Sequence, residues 1–553
     1  MQAILQRFSS LVLIVAALVA LPVLSVGANL FAGGTGDTWS HLAATVLPEY
    51  VANSLWLCFG VALGVGSMGT TMAWLTAMHD FPGRRVFDWA LLLPMAMPAY
   101  VLAYTYTDFL QFVGPVQTGL RETFGWTKAD YWFPDVRTLP GAMVMFSCVL
   151  YPYVYLVVRT AFLERGSGML EAARVLGLSP WRAFFRVSLP LARPAIATGI
   201  ALALMETLAD YGTVAYFSVP TFTTGIYRAW FSLGDRVAAA QLAAGLLGFV
   251  LLLLALERFS HGRARYHDTG GRRRAAHGRR LTGWRGWLAF VACLLPLLAG
   301  FVLPAGLLLR MALGEVEGEF GVRFLVLAKN SFVLASLSAL LAAGLALLLA
   351  YAARQSARAG GMGALLARMA SRLVGLGYAV PGSVIAVGVL IPVTRLDHAL
   401  ATLWQQLGGA NPGLILTGGI AALVYAYLAR FLSIALQTVE AGIARITPSM
   451  DDAAQSLGCG PGETLRRVHL PLLRGSLLTA ALLVFVDVMK ELPATLVMRP
   501  FNFETLATQT YTLAADERLA EASIAALAIV AVGLVPIIVL ARQIAAGRQT
   551  TAC

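Results

Sequence analysis

Apolar runs close to 20 residues long recur along the chain, separated by short polar or arginine-bearing segments. A helix rising ~1.5 Å per residue needs about 20 residues to cross the hydrocarbon core, so these runs predict membrane spans. They fall near 11–26, 51–77, 89–109, 141–158, 194–214 and 238–256, then near 287–311, 331–353, 373–393, 414–436, 477–498 and 522–541. Residues 2–10 carry a single positive charge, Arg7, ahead of a run longer than a signal-peptide core, and an uncleaved first span is expected. Between the two sets lies 258–285, basic, glycine-containing and without periodicity, the pattern of a solvated linker. The expected fold is an all-α polytopic membrane protein of about twelve helices. It divides into a first repeat (1–257), the linker (258–285) and a second repeat (286–553).

One polar interruption occurs twice. EAARVLGLSPWRAFFRVSLP (171–190) returns 281 positions later as DAAQSLGCGPGETLRRVHLP (452–471), inside loops spanning 164–190 and 440–471. Both run acid-Ala-Ala, three residues, Gly, nine residues, Val, one residue, Leu-Pro. Other pairs support duplication. Asn53-Ser54 resembles Asn330-Ser331, Leu93-Pro94 and Pro98 have a partner in Pro381-Gly382, and Asp210 and Glu491 each follow the loop proline by twenty residues.

Charge then sets an orientation. Arg7, Arg84, Arg85, both repeated loops, the linker, Arg354, Arg358, Arg368, Arg372, Arg542 and Arg548 fall on one side. Asp37, Glu49, Asp130, Asp135, Glu315, Glu317, Glu319, Asp516 and Glu517 fall on the other. The positive-inside rule places both termini, the linker and both repeated loops in the cytoplasm of a bacterial inner-membrane protein. An even number of spans per repeat gives both the same orientation, a parallel repeat about the membrane normal.

Composition narrows the classes further. With 58% hydrophobic and 13% charged residues the chain is not a soluble globular protein. The net charge of +12 is nearly all arginine, the lysines being Lys128, Lys329 and Lys490, and its place in short loops argues against nucleic-acid binding. Cys58, Cys148, Cys293, Cys459 and Cys553 are scattered, with no CxxC or Cys/His cluster. No lysine follows a glycine, so the phosphate-binding GxxxxGK[ST] loop is absent and the chain is not expected to hydrolyse ATP. No nucleophile–base or metal-ligand constellation marks a membrane enzyme.

In each loop the acid sits near the start of a short helix, where the dipole stabilises it by about 0.3–1 kcal/mol. Paired alanines favour helix and leave a low-profile face. Gly177 and Gly458 suit a left-handed helix end. Ser179-Pro180 reads as N-cap and first helical residue, Gly460-Pro461 as a weaker version, and Pro190 and Pro471 as restarts into the next span.

Both loops resemble the EAA motif of ABC importer permeases, the segment that docks on the ATPase subunit. Asp452 stands for the usual Glu, and Val187 and Val468 for the usual Ile. The fused layout, with METLADYGTVAYF, TFTTGIYRAW, VDVMKELPATLVMRPFNFETLATQTY and HDFPGRR, is similar to the bacterial iron(III) ABC permease family. The resemblance implies a type I importer membrane domain. It also implies two copies of a cytoplasmic ATPase that uses the ATP, a periplasmic iron-binding protein, and no cofactor held by this chain. ATPase coupling would fall to Glu171, Ala172, Ala173, Gly177, Leu189 and Pro190, and to Asp452, Ala453, Ala454, Gly458, Leu470 and Pro471. Permeases with such loops also carry thiamine, phosphonate or other small solutes, so the substrate stays open. A twelve-helix secondary transporter is the reading from another class. Asp80 to Arg85 resembles the D-x-x-G-R-R loop of the major facilitator family, but Thr76 stands where its glycine belongs, and that family's repeats lack EAA loops.

Charged groups within spans are expensive and mark pathway or gate candidates. Asp487, Lys490 and Glu491 fall at i, i+3 and i+4, the spacing of one helical face, with Glu206 and Asp210 as the first-repeat counterpart. Pro493 suits a loosened, moving segment. Tyr100, Tyr104, Tyr106, Asp108, Tyr151, Tyr153 and Tyr155 carry oxygens that suit a hard ion, but tyrosines near span ends usually anchor at the interface. A tight metal site would slow release, so none of high affinity is expected.

Overall fold

Each predicted span overlaps helix in the computed structural model, the tenth starting only at Ala421; the structure describes residues 2–31, 33, 37–175, 177–261, 279–314 and 320–549. In chain order the helices include α1 (Gln2–Asn29), α2 (Leu47–Met78), α3 (Arg84–Ala90), α4 (Ala99–Leu110), α5 (Leu139–Val175) and α6 (Leu189–Ala209). There follow α7 (Arg236–His261), α8 (Trp284–Leu297), α9 (Leu303–Gly314), α10 (Phe320–Ala359), α11 (Gly361–Gly375) and α12 (Gly382–Gln406). The chain then forms α13 (Ala421–Ile443), α14 (Pro448–Ser456), α15 (Leu470–Met489), α16 (Pro493–Met498) and α17 (Leu519–Gln549). Among the described residues, 11 helices are long and apolar enough to cross a membrane, or 12 if the bent pair Arg84–Ala96 and Ala99–Phe124 is one span.

The third and ninth predicted spans are each broken at the same place. Turns of 3-10 helix at Leu93–Ala96 and Gly377–Ala379 lead to Pro98 and Pro381, both extended (φ −62°, ψ 140° and φ −57°, ψ 144°), which start α4 and α12. A proline disfavours helical geometry in the residue before it, yet starts a helix at no cost in hydrogen bonding. The non-helical backbone is buried: Pro94, Ala96, Met97 and Pro98 in one break, Gly377, Ala379, Val380 and Pro381 in the other. Irregular backbone at membrane depth is tolerated only when so covered.

Packing divides the chain into two units. One comprises Met1–Ser40, Gly225–Leu247 and Glu319–Gln509. Its centre is the bundle of α10, α13 and α15, with α1 laid against α11 and α12. There Tyr425 Oη donates to the Leu18 carbonyl at 2.5 Å, and Gly388 meets α1 so closely that a Cβ would lie 2.3 Å from the Pro22 carbonyl oxygen.

The other unit comprises His41–Thr224, Gly248–Gly318 and Thr510–Cys553. In it α2, α5 and α6 meet around Val154, which Gly69 and Gly199 approach so closely that a Cβ on either would sit 2.6 Å away. Small residues of this kind let membrane helices pack by direct contact where no hydrophobic drive separates protein from lipid. The α8–α9 pair and α17 complete this unit. Phe290 meets Phe87 at 5.3 Å between ring centroids, and Tyr106 Oη donates to the Ala299 carbonyl at 2.7 Å.

The repeats read from sequence and the packing units are therefore different partitions. The first span of each repeat packs within the unit formed mainly by the other. The linker ends in a two-residue parallel pairing of His79–Asp80 with Arg279–Arg280, and 262–278 lie outside the described residues.

Candidate functional site

The two repeated loops share a local plan. In the second, α14 leads to Gly458 (φ +83°), a short helix at Pro461–Thr464, and one wide π turn at Leu465–His469 that runs into α15. In the first, α5 continues as helix to Val175, so Glu171 stands near the end of a long helix and not, as expected, near the start of a short one. Leu176 and the side chains of Glu171, Ala172 and Ala173 lie outside the described residues. Gly177 (φ +81°) then leads to a short helix at Pro180–Ala183 and a π turn at Phe184–Ser188. Positive φ at both glycines matches the expected left-handed helix ends. Ser179 Oγ accepts from the Arg182 N–H at 3.5 Å, and Gly460 caps its helix without a side chain.

Pro190 and Pro471 do not restart the chain, as the sequence reading expected; the helix runs through them. A proline cannot donate to the carbonyl four residues back and its ring clashes there. The preceding turn widens instead, so that Leu189 bonds back to Phe184 and Leu470 to Leu465. Leu189 and Pro190 are half-buried, Leu470 and Pro471 exposed.

On α14 the paired alanines separate, Ala453 facing outward and Ala454 inward. Met450, Ala453 and Leu457, at helical spacing, form an exposed apolar stripe beside Asp452, which is 62% exposed and ion-paired with Arg358. Asp451, its neighbour, is the residue the sequence reading missed. It is 1% exposed, and its carboxylate meets Arg354 Nη2 at 2.8 Å, Arg358 Nη1 at 3.0 Å and His469 Nε2 at 2.6 Å. Burial alone would raise this carboxyl, but hydrogen bonds from His469 and Arg354 and the Arg354 charge hold it below the usual carboxylate range. Arg354 also donates to the carbonyls of Ile443, Ile446 and Thr447 at 3.1, 2.9 and 3.3 Å. The first repeat has an aromatic cluster instead, Trp74 against Phe162 and Phe184 at 5.2 and 4.7 Å.

Of the charged gate candidates, Asp210, Lys490 and Glu491 lie at helix breaks, while Glu206 and Asp487 lie in the last turns of α6 and α15. Asp487 pairs with Lys490 at 2.8 Å, but α15 ends at Met489 and Glu491 is not on its face. Glu491 turns to cap α16 instead, accepting from the N–H groups of Ala494 and Thr495 at 2.8 and 3.0 Å and from Thr495 Oγ1 at 2.6 Å. Its other partner is Arg430 of α13 at 3.3 Å, both side chains almost fully buried. Pro493 begins α16, and its carbonyl accepts from Tyr227. In the first repeat α6 ends at Ala209, so Asp210 caps the next short helix through the Thr213 N–H at 2.8 Å, while half-buried Glu206 stays on α6. A lone arginine inside a predicted span was the signal for Arg430. Asp88 and Arg159, paired at 3.0 Å and buried, lie one residue outside the predicted spans 89–109 and 141–158 and carried no such signal.

Tyr100, Tyr104, Tyr151 and Tyr155 are at most 4% exposed, so they pack inward rather than anchoring at an interface. Beyond the breaks, one polar arrangement recurs in both repeats. Asn53 Nδ2 donates to the Pro220 carbonyl and Asn330 Nδ2 to the Glu504 carbonyl, each at 3.0 Å.

A family model described as "binding-protein-dependent transport system inner membrane component" matches residues 66–265 and again 356–548. The chain is 27% identical over 499 residues to the Fe(3+)-transport system permease protein FbpB 2 of Haemophilus influenzae, covering 89% of this chain and 90% of that one. It is 30% identical over 229 residues to the molybdenum transport system permease protein ModB of Escherichia coli K12, covering 40% of this chain and 95% of that one. A probable sulfate transport system permease protein, cysT of Chlorokybus atmophyticus, is 31% identical over 183 residues, covering 32% of this chain and 59% of its own.

Proposed function

The chain belongs to the binding-protein-dependent transport system inner membrane components, and from that premise we propose that it carries iron(III) across the bacterial inner membrane. It is the multi-pass permease of an ABC importer and not itself an enzyme; ATP hydrolysis resides in partner ATPase subunits, and a periplasmic binding protein delivers the solute. Two ATPase copies dock on 164–190 and 440–471, and an iron-binding protein approaches from the opposite side. The arginine bias supports cytoplasmic loops and termini.

The observation that carries iron is the extent of one similarity. The relative named for Fe(3+) aligns over 89% of this chain and 90% of itself, both repeats included. The molybdenum and sulfate relatives align over 40% and 32% of this chain. Their slightly higher identities, 30% and 31%, favour an oxyanion as the second reading. Uptake of radiolabelled iron(III), molybdate, sulfate and thiamine in cells lacking the chain separates these. Iron uptake alone should fall and return on complementation. Normal iron uptake with lost uptake of another solute overturns the assignment.

A further inference from the structure

Helix α10 runs 40 residues without a proline, gripped by polar contacts near both ends. Near its start Asn330 holds the Glu504 carbonyl, Ser331 Oγ accepts from the Leu506 N–H at 2.8 Å, and Arg323 donates to Gln509 at 3.3 Å. Near its end Tyr351, Arg354, Gln355 and Arg358 recur at i, i+3, i+4 and i+7, one face of the helix. That face carries the Asp451 cluster, and Tyr351 Oη donates to the Pro461 carbonyl at 2.6 Å while Gln355 donates to Tyr351. Twenty-four residues separate Asn330 from Arg354, about 36 Å of helix at 1.5 Å per residue.

Among the described residues the first repeat keeps the clamp near the start, Asn53 on Pro220, and shows no counterpart of the one near the end. The offset that aligns Asn53 with Asn330 puts Trp74, Ala77 and Phe81 at the places of Tyr351, Arg354 and Arg358. The offset of the loops puts Leu170 and Ser188 at the places of Asp451 and His469. Trp74 packs with Phe162 and Phe184 there, contacts that resist separation but fix no direction. A buried carboxylate between two arginines and an imidazole does fix one. Sliding it leaves a carboxylate that is 1% exposed without its partners.

We propose that Asp451 is a positioning residue that locks the second coupling loop to the end of α10, so that displacement of this loop is carried along α10 to the Glu504–Gln509 segment, while the first repeat, lacking the lock, couples more loosely. This rests on the reading of 440–471 as an ATPase dock. Arg358 has a double role, because it holds both Asp451 inside and Asp452 on the exposed docking face. A push on Asp452 therefore meets the lock directly.

The test uses the full transporter, chain with ATPase subunits and binding protein, reconstituted in proteoliposomes. The readouts are solute transported per ATP hydrolysed and the exchange protection of the Leu506 and Gln509 amides before and after vanadate trapping. Asp451→Asn keeps the shape and removes the charge. It should lower transport per ATP about tenfold, within the range of coupling between distant sites, and abolish the trapping response of the two amides. Trp74→Phe should leave the ratio within about twofold, a coupling change under 1 kcal/mol. Should Asp451→Asn not assemble, Arg354→Lys keeps the charge, loses the fork of donors, and should lower the ratio in the same direction. A ratio and an amide response unchanged in Asp451→Asn, or in Arg354→Lys in its place, overturn the lock. Failure of the unaltered chain to bind any ATPase subunit overturns the docking reading itself, and the lock with it.

Discussion

Glu491→Gln isolates the charge at the break between α15 and α16. The carboxylate holds three hydrogen bonds from Ala494 and Thr495 and pairs with Arg430, both side chains at most 8% exposed. Glutamine fits the same space but presents its amide NH2, a donor, where an N–H donor now points. It also leaves Arg430 charged in a buried site. Breaking one side of a buried ion pair costs about 3–5 kcal/mol, and each charge-assisted hydrogen bond lost adds about 1.5–3 kcal/mol where no water replaces it. Because these terms overlap, the expected loss is about 3–5 kcal/mol, felt locally in α16. Removing the arginine as well, as Arg430→Met with Glu491→Gln, eliminates the stranded charge and should recover about half of that. Amide exchange across 493–498 in the purified chain reads the local loss, and a double-mutant cycle reads the coupling. Unchanged protection in Glu491→Gln, or additive losses in the double variant, would refute the reasoning.

Other perturbations follow from the same contacts. In Gly382→Ala the new methyl would sit 2.7 Å from Glu491 Oε1 and 2.8 Å from Arg430 Nη1, a clash worth about 1–3 kcal/mol, visible as a lowered unfolding temperature; an unchanged one contradicts it. Asp397, 1% exposed, accepts from the N–H groups of Ile415, Leu416 and Thr417 at 3.1, 2.8 and 2.8 Å. Asp397→Asn should cost about 1–3 kcal/mol and deprotect the Thr417 amide, whereas equal protection would show that water replaces the lost acceptor. Asp451 titrates below its unfolded value, so its contribution is complete above the ordinary carboxylate pKa near ~4 and is lost as pH falls through the lower folded value. The groups facing it are Arg354, Arg358 and His469, with Asp452 and Tyr351 beside them. Protease cleavage within 444–470 should stay flat down to about pH 5 and rise below it. A rise that begins above pH 5, or that persists in Asp451→Asn, contradicts this.

Much of this was legible in the residues because the bilayer imposes a strong rule. Apolar length alone placed the spans, and the repeat spacing paired Pro98 with Pro381 and Asn53 with Asn330, whose hydrogen bonds match in kind and length. What failed to show was tertiary. Glu491 sits at helical spacing from Asp487, yet α15 stops first, because a carboxylate that caps α16 gains more than one on a lipid-depth helix face. Asp451 and Asp452 are adjacent acids of one type. The helical turn sends one inward to Arg354 and the other outward, and only their packing decides which. Arg354 and Arg358 read as orienting charges in the sequence, a role the four-residue spacing does not exclude. The exchange of first spans between packing units has no local signature, since the runs 11–26 and 287–311 read alike as apolar spans.

The central claim is that energy enters through the two repeated loops, and vanadate-sensitive ATP hydrolysis that depends on this chain tests it most directly. The chain is co-purified with its ATPase subunits, unaltered and as the double variant Glu171→Lys with Asp452→Lys. If the loops are the docks, hydrolysis falls to the level of the ATPase alone in the double variant, and Glu171→Lys and Asp452→Lys taken singly differ in severity. Chain-dependent hydrolysis that survives both charge reversals contradicts the account.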